Sequence, residues 1–471
     1  MNTLLLLLGL RPWTSATSTD AFTRVFVAVS LLSMEVQFVT LAGVGTLPSL
    51  VPLNAVAAVA AFLLWRPSPV RDDTVRVRPL RAVPPVAALA MAVLVLIVNL
   101  SRPFEAADLY HLEKIDRIER TGTLAYDTAT ETKINILNST YELLLADLRS
   151  VPAAGPWLVR IHGVWGLLLF LVAVGAVREQ LGRARRETAD ATDNGPPVAT
   201  PGESVPLAWA ALLVVPVLFH QFVLVKNDLV VGILALVVLA WTMSRAAASS
   251  PREIVWASWL GGMAVAVKLT SLPLLVVVGA TLLLRRDRWR AVGAMGLGSA
   301  AGLLCGGLAF TLVENLRIYG SLMPVENLGN RPRGAVESIV DILRFSLSLV
   351  DLGQLTRRLW PGRGGWGGTF GLPLVWAVAT LVVRRRVSDA SRPALLTVGA
   401  CFLAFAAAFP DADVAQRLVL GPGLLLVAVA VDDVTRAAAA PTTAWLRFAL
   451  AICTALSCLQ IARSAWLYMQ S

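Results

Sequence analysis

Asp108, Tyr110 and His111 lie within four positions of one another. They supply an acid, a phenol and an imidazole, and a carboxylate in such company can take the proton from an attacking hydroxyl. Asp108 and His111 are three apart, so a helix would carry both on one face, near a single substrate hydroxyl. The plainer alternatives are that Asp108 caps a helix by satisfying free backbone donors, and that His111 is a solvated interface residue. Further along, Lys226, Lys268, Arg317 and Arg417 stand beside apolar runs. These cations could hold a phosphate, lysine as a point charge and arginine as a bidentate fork; each could instead snorkel to the membrane surface. Asn227 and Asp228 open an apolar run, where Asp228 could cap a helix or, with Asn227, help to hold an acceptor. Asp108 and Asp228 could share a divalent cation, but two acids without a ligand spacing do not define a metal site. No metal or other cofactor is therefore assigned.

The elements that position these groups must be membrane helices. With 56% hydrophobic and 15% charged residues in 471, and a mean hydropathy of +0.68, the composition is that of an all-α polytopic membrane protein. The net charge of +10 would suggest nucleic acid in a soluble chain; here most arginines fall between apolar runs, where basic loops set orientation, and no nucleic-acid partner is expected. Cys305, Cys401, Cys453 and Cys458 lie inside apolar runs, as small hydrophobes without a disulfide or zinc pattern. The opening MNTLLLLLGL lacks a basic leader region, so it does not read as a cleaved signal peptide.

Runs long enough to cross a bilayer are expected near 23–46, 49–65, 83–100, 157–177, 205–223, 228–244, 290–312, 369–383, 393–410, 415–431 and 443–464. The run 255–284 is expected to cross twice, broken at Lys268 to Ser271. If the arginine-rich segment 66–81 faces the cytoplasm, alternation also puts Arg178 to Arg186, Arg245, Arg252, the RRDRWR run at 285–290 and the RRR at 384–386 on that side. This agreement holds only with the double crossing. It implies about thirteen spans, an inner N-terminus and an outer C-terminus, in a cell (inner) membrane. The loop 101–156, Lys226 to Asp228, Lys268, Thr270, the loop 313–368, Asp411, Asp413 and Arg417 then all face outward.

Within the first of these loops, Leu109, Leu112, Ile115 and Ile118 alternate with charges and Gly122 follows, which predicts an amphipathic helix over 108–120 lying along the interface. Val336 to Leu352 predicts a second, able to act as a lid, with a hinge in the glycines of 361–368. Residues 187–204 read as a polar cytoplasmic linker. Asn138 stands in an Asn-Ser-Thr triplet, a glycosylation acceptor only in a host that uses it.

The segment DLYHLEKIDRIERTGTLAYD resembles the first outer loop of GT-C class membrane glycosyltransferases, the polyprenyl-phosphate-sugar enzymes related to protein mannosyltransferases and aminoarabinose transferases. Segments 226–241, 261–275, 314–327 and 416–426 are similar to later elements of that family, in the family's order. The resemblance implies a GT-C-like bundle of about 11–13 transmembrane helices with two long outer loops carrying amphipathic interface helices. It divides the chain into a two-span extension with a basic loop (1–82), the module itself (83–431) and a C-terminal loop and span (432–471). It implies transfer of a sugar from a polyprenyl-phosphate donor to an envelope glycan, lipid or protein acceptor on the outer face. Asp108 would be the base, with His111 also in the catalytic set, Lys226, Lys268, Arg317 and Arg417 the donor-phosphate ligands, and Tyr110, Asn227 and Asp228 the acceptor-positioning groups. In the family the acid commonly sits about four positions before the tyrosine, where this chain has Ala106; Asp108 and Glu105 therefore both stand as the catalytic acid. The alternatives are a transporter or flippase for lipid-linked sugar, against which Glu35 is the main mid-span acid, and a non-catalytic GT-C-like subunit, which the displaced acid would fit.

Overall fold

The computed structural model describes residues 1–15, 17–64, 81–101, 106–126, 138–191, 207–245, 250–322, 336, 340, 370–383, 399–401, 403–404, 419–436 and 441–470, the side chains of 14, 106–110, 185–191 and 244–245 excepted. Among them the fold is helical throughout. In chain order it comprises α1 (Asn2–Leu10), α2 (Ser18–Ala42), α3 (Val51–Leu64), α4 (Pro85–Ser101), α5 (Ala106–Thr121), α6 (Thr140–Arg149), α7 (Gly155–Arg160), α8 (His162–Ala191) and α9 (Pro216–Val223). It continues with α10 (Asp228–Arg245), α11 (Pro251–Val267), α12 (Leu272–Leu283), α13 (Arg288–Cys305), α14 (Leu308–Tyr319), α15 (Gly371–Val383), α16 (Leu420–Arg436) and α17 (Pro441–Gln470).

Four helical stretches are long and apolar enough to cross a membrane: α2, Leu47–Leu64, His162–Ala184 of α8, and α17; the bent pair α13 and α14 would make a fifth. Shorter apolar helices include α4, α10 and α15. Leu53, Val56, Val59 and Phe62 of α3 and Phe448, Ile452 and Leu459 of α17 are exposed. Rows of large apolar side chains turned outward suit lipid rather than water.

The centre is α10, whose residues from Val231 to Trp241 are all buried between α8, α11 and α16. Helices α11 and α13 pack backbone to backbone: a Cβ on Gly302 would lie 2.2 Å from the Trp259 carbonyl and one on Gly298 2.3 Å from that of Val255. Small residues four apart let two backbones meet in this way where lipid supplies no hydrophobic drive.

Two buried carboxylates start the first two helices. The Asp147 side chain accepts from the backbone N–H groups of Asn2 (3.0 Å) and Thr3 (2.6 Å), and Glu179 from those of Ser18 (2.7 Å) and Thr19 (2.9 Å). Each satisfies free donors of a helix N-terminus and complements its dipole. These contacts set the directions of α1 and α2. Met1 lies at Asp147 of α6, and Arg11 at the opposite end of α3, against Phe62. From there α2 returns antiparallel to α8 until Thr40 meets Leu124. Met1 thus lies on the face carrying α5 and α6, which corrects the expectation of an N-terminus on the opposite side. Within MNTLLLLLGL, Asn2–Leu10 is a helix packed on α3.

Two expected spans are broken. Over 205–223 the chain forms a 3-10 turn at Leu207–Leu212 and then the eight-residue α9, because Pro216 keeps Val215 extended (φ −72°, ψ 116°) and bars a helix through it. The run 290–312 bends by 62° between α13 and α14, at Gly306 and Gly307, with Gly307 in the left-handed region (φ +81°). The expected break in 255–284 is present: α11 ends at Val267, Lys268 is extended, and a turn at Leu269–Ser271 leads into α12. The span 393–410, apart from 399–401 and 403–404, lies outside the described residues, as do the helix 336–352, apart from Val336 and Val340, the glycines 361–368 and the linker beyond Ala191.

Candidate functional site

The expected amphipathic helix is α5. Gly122 ends it in the left-handed region (φ +66°), and its carbonyl accepts from the Leu47 N–H at 2.6 Å. One side of it is buried, where His111 had a solvated alternative. Ile115 and Ile118 are fully buried, and His111, Lys114 and Arg117 share that buried side, packed on α6. The polar members go inward because α6 supplies a charge for them.

That charge is Glu142, fully buried. One of its oxygens lies 2.6 Å from His111 Nδ1 and 3.9 Å from Lys114 Nζ. Burial alone would raise the carboxyl, but Lys114 and the hydrogen bond from His111 outweigh it, so Glu142 stays below the ordinary carboxylate range. Burial lowers Lys114 from its ordinary 10.5 to about 8, Glu142 opposing and Arg117 reinforcing the shift. The His111 ring stands edge-on to Tyr141 (6.2 Å, 88°). A carboxylate that fixes an imidazole's orientation is the arrangement by which proton-transfer groups are held in place.

A connected set of polar contacts leads from this cluster to the helix ends below. Lys114 donates to the Asn138 carbonyl (3.3 Å). The Asn138 side chain donates to the carbonyls of Ala266 (2.6 Å) and Gly306 (2.5 Å), the second of which also accepts from Thr140 Oγ1. The breaks after α11 and α13 leave these carbonyls without helical donors, and Asn138 supplies them. Two residues beyond Ala266, Lys268 Nζ pairs with Asp228 Oδ1 at 2.5 Å. Asp228 is 2% exposed at the start of α10, and Asn227 beside it donates to the Val267 carbonyl (3.4 Å). On the same face Tyr126 donates to the Thr311 carbonyl and to Asn315 Oδ1 of α14, its phenol pushed up chiefly by burial.

Of the residues singled out by type and spacing, Lys268, Asp228 and Asn227 come together. His111 joins them through Glu142, Lys114 and Asn138. Lys226 is half-buried next to Asn227. Arg317 is exposed on α14 in an ion pair with Glu314 of the same helix (2.6 Å). Asp108 and Tyr110 belong to the first turns of α5, one turn before His111 and Lys114, but their side chains, like the whole of Glu105 and Arg417, lie outside the described residues. No group of three or more His, Cys, Asp or Glu arranged to hold a metal ion occurs among the described residues.

Sequence reasoning missed Glu142, Lys114 and the structural use of Asn138. One signal was present: Glu142 and Asp147 bracket the apolar run Leu143 to Ala146, and charges set among core positions of a helix point to buried partners. Comparison with protein-family models, with curated proteins and with solved structures finds no match to this chain.

Proposed function

We propose that the protein is a membrane glycosyltransferase that moves a sugar from a polyprenyl-phosphate donor to an envelope glycan, lipid or protein acceptor, with its site on the outer face. The observation that supports this reading is the polar network from His111 through Glu142, Lys114 and Asn138 to Lys268 and Asp228, at one end of a set of apolar helices. A lipid-linked sugar places its phosphate at such a boundary. Transfer needs a base for the acceptor hydroxyl and a cation for the departing phosphate. In this reading Asp108 or Glu105 is the base, on or next to the first turn of α5. The buried His111–Glu142 pair keeps that helix in register. Lys268 meets the phosphate, with Asp228 holding its side chain in place until the donor arrives, and Lys226, Arg317 and Arg417 complete the cationic rim. Tyr110 and Asn227 position the acceptor. The fold would be a GT-C-like bundle of 11–13 spans, with the described helices as part of it.

The test is transfer of labelled sugar from a polyprenyl-phosphate donor in membranes carrying Asp108→Asn, Glu105→Gln, the double variant, or Lys268→Met. Loss of the true base is expected to lower turnover by roughly 10²–10⁴-fold, and loss of Lys268 to weaken donor use. Undiminished transfer in both single variants and the double variant removes the acid–base assignment.

A further inference from the structure

Gln221 of α9 is 1% exposed, yet neither its Nε2 nor its Oε1 has a hydrogen-bond partner among the described residues. The buried indole Nε1 of Trp165, in the first turn of α8, has none either. Both side chains line one cavity of about 170 Å³. The rest of its wall is almost wholly apolar, and no lysine or arginine takes part among the described residues.

The cavity is elongated and polar at one end. Along α8 it is lined from His162 to Val172, and along α1 from Thr3 to Leu7, with Trp13 beyond. The ten-residue interval on α8 corresponds to about 15 Å of helix. Thr140, His162, Trp165 and Gln221 lie toward the face of α5 and α6; Val25, Val29 and Val172 lie toward the other. An unsatisfied amide and indole among membrane helices cost several kcal/mol unless something meets them. The Trp165 indole and Gln221 amide donors at the polar end of an apolar slot select a ligand with a hydrogen-bond acceptor at the head of a hydrocarbon chain. Without a cation in the wall, a carboxylate or phosphate inside would be an unpaired charge, so the head group is neutral. An isoprenoid chain offers only hydrocarbon and would meet neither donor, whereas an ester carbonyl meets both.

We infer that this cavity binds an acyl chain of an ester-linked membrane lipid, the ester carbonyl accepting from the Trp165 indole and the Gln221 amide while the charged head stays outside. This inference does not depend on the proposed transfer reaction.

Full-length protein purified in detergent and stripped of co-purifying lipid is titrated with dioleoyl phosphatidylglycerol, its dioleyl ether analogue and undecaprenyl phosphate, with bound lipid counted by native mass spectrometry. The ester lipid is expected to bind about tenfold tighter than the ether, the worth of roughly one well-made hydrogen bond. Gln221→Leu with Trp165→Phe should erase that preference while retaining both lipids, since the pair removes both unpartnered donors and keeps the wall at those positions apolar. Equal binding of ester and ether by the unmodified protein overturns the inference. So does a preference for undecaprenyl phosphate, failure to take up the ester lipid, or an ester preference that survives in the double variant. Trp165→Phe alone, which keeps the Gln221 donor, should reduce the preference should the double variant not fold, and an undiminished preference there overturns the inference as well.

Discussion

Lys114 carries a charge that burial resists and Glu142 only partly compensates. Its value of about 8 in the fold against an ordinary 10.5 makes it a pH-sensitive member of the polar cluster. Between those limits the unfolded chain holds the lysine proton more firmly than the fold does. Stability from this group therefore rises as pH increases from about 8 toward 10.5, and below about 8 the buried ammonium weighs against folding by a constant amount. Lys114→Met removes that dependence. Thermal unfolding of both proteins in detergent across pH 7 to 10.5 should show the unmodified protein gaining on the variant through the window, once each is referenced to its own value at pH 7. Parallel profiles would mean that Lys114 titrates as an ordinary surface lysine. Glu142 belongs to the same balance, because an acid of its burial remains ionised only while His111 and Lys114 face it.

The helix elements show which levels of structure could be read from the residues. The spacing of Leu112, Ile115 and Ile118 together with Gly122 was enough to locate α5, and the balance of arginines was enough to split 255–284 at Lys268. The burial of α5 was not legible, because it depends on Glu142 arriving from another helix, and no periodicity encodes a partner. The breaks at Pro216 and Gly306–Gly307 were hidden for a different reason: proline and glycine are common within membrane helices, so hydropathy alone does not tell a break from a tolerated residue. Glycines within α13 separate these cases experimentally. A Cβ at Gly302 would press on the Trp259 carbonyl at 2.2 Å, whereas one at Gly296 would meet nothing within 4 Å. Both substitutions to alanine gain helix propensity, by roughly 0.5–1 kcal/mol. Gly296→Ala should therefore be neutral or slightly stabilising in a thermal-shift assay, and Gly302→Ala destabilising despite the same chemical change. Equal shifts would show that α11 and α13 are not in backbone contact there.

At the scale of the whole molecule, the polar network and the arginine clusters lie at opposite ends of the helices. Asn138 bonds to the ends of α11 and α13, so the turn between α12 and α13, with Arg285, Arg286, Arg288 and Arg290, lies at the other end. Arg178 and Arg183 of α8 lie there too, near Glu179, which caps the start of α2. The polar network and the basic clusters are thus on different faces by geometry alone, and the proposed orientation, which follows the positive-inside tendency, puts the basic face in the cytoplasm. Single cysteines in a background lacking Cys305, Cys401, Cys453 and Cys458 can test both statements at once. Val44 follows α2, close to where Leu47 bonds Gly122; Glu119 lies on α5; Asp287 lies in the basic turn, and all three are exposed. A membrane-impermeant maleimide applied to intact cells is expected to label Val44→Cys and Glu119→Cys, and to label Asp287→Cys only after permeabilisation. The reverse pattern would keep the helix directions but turn the molecule over, taking the polar network to the cytoplasm and excluding an outer-face transferase. Labelling of Val44→Cys and Asp287→Cys from the same side would contradict the directions of α2 and α12 themselves, and with them the convergence of His111, Asn138, Lys268 and Asp228 on which the functional reading rests.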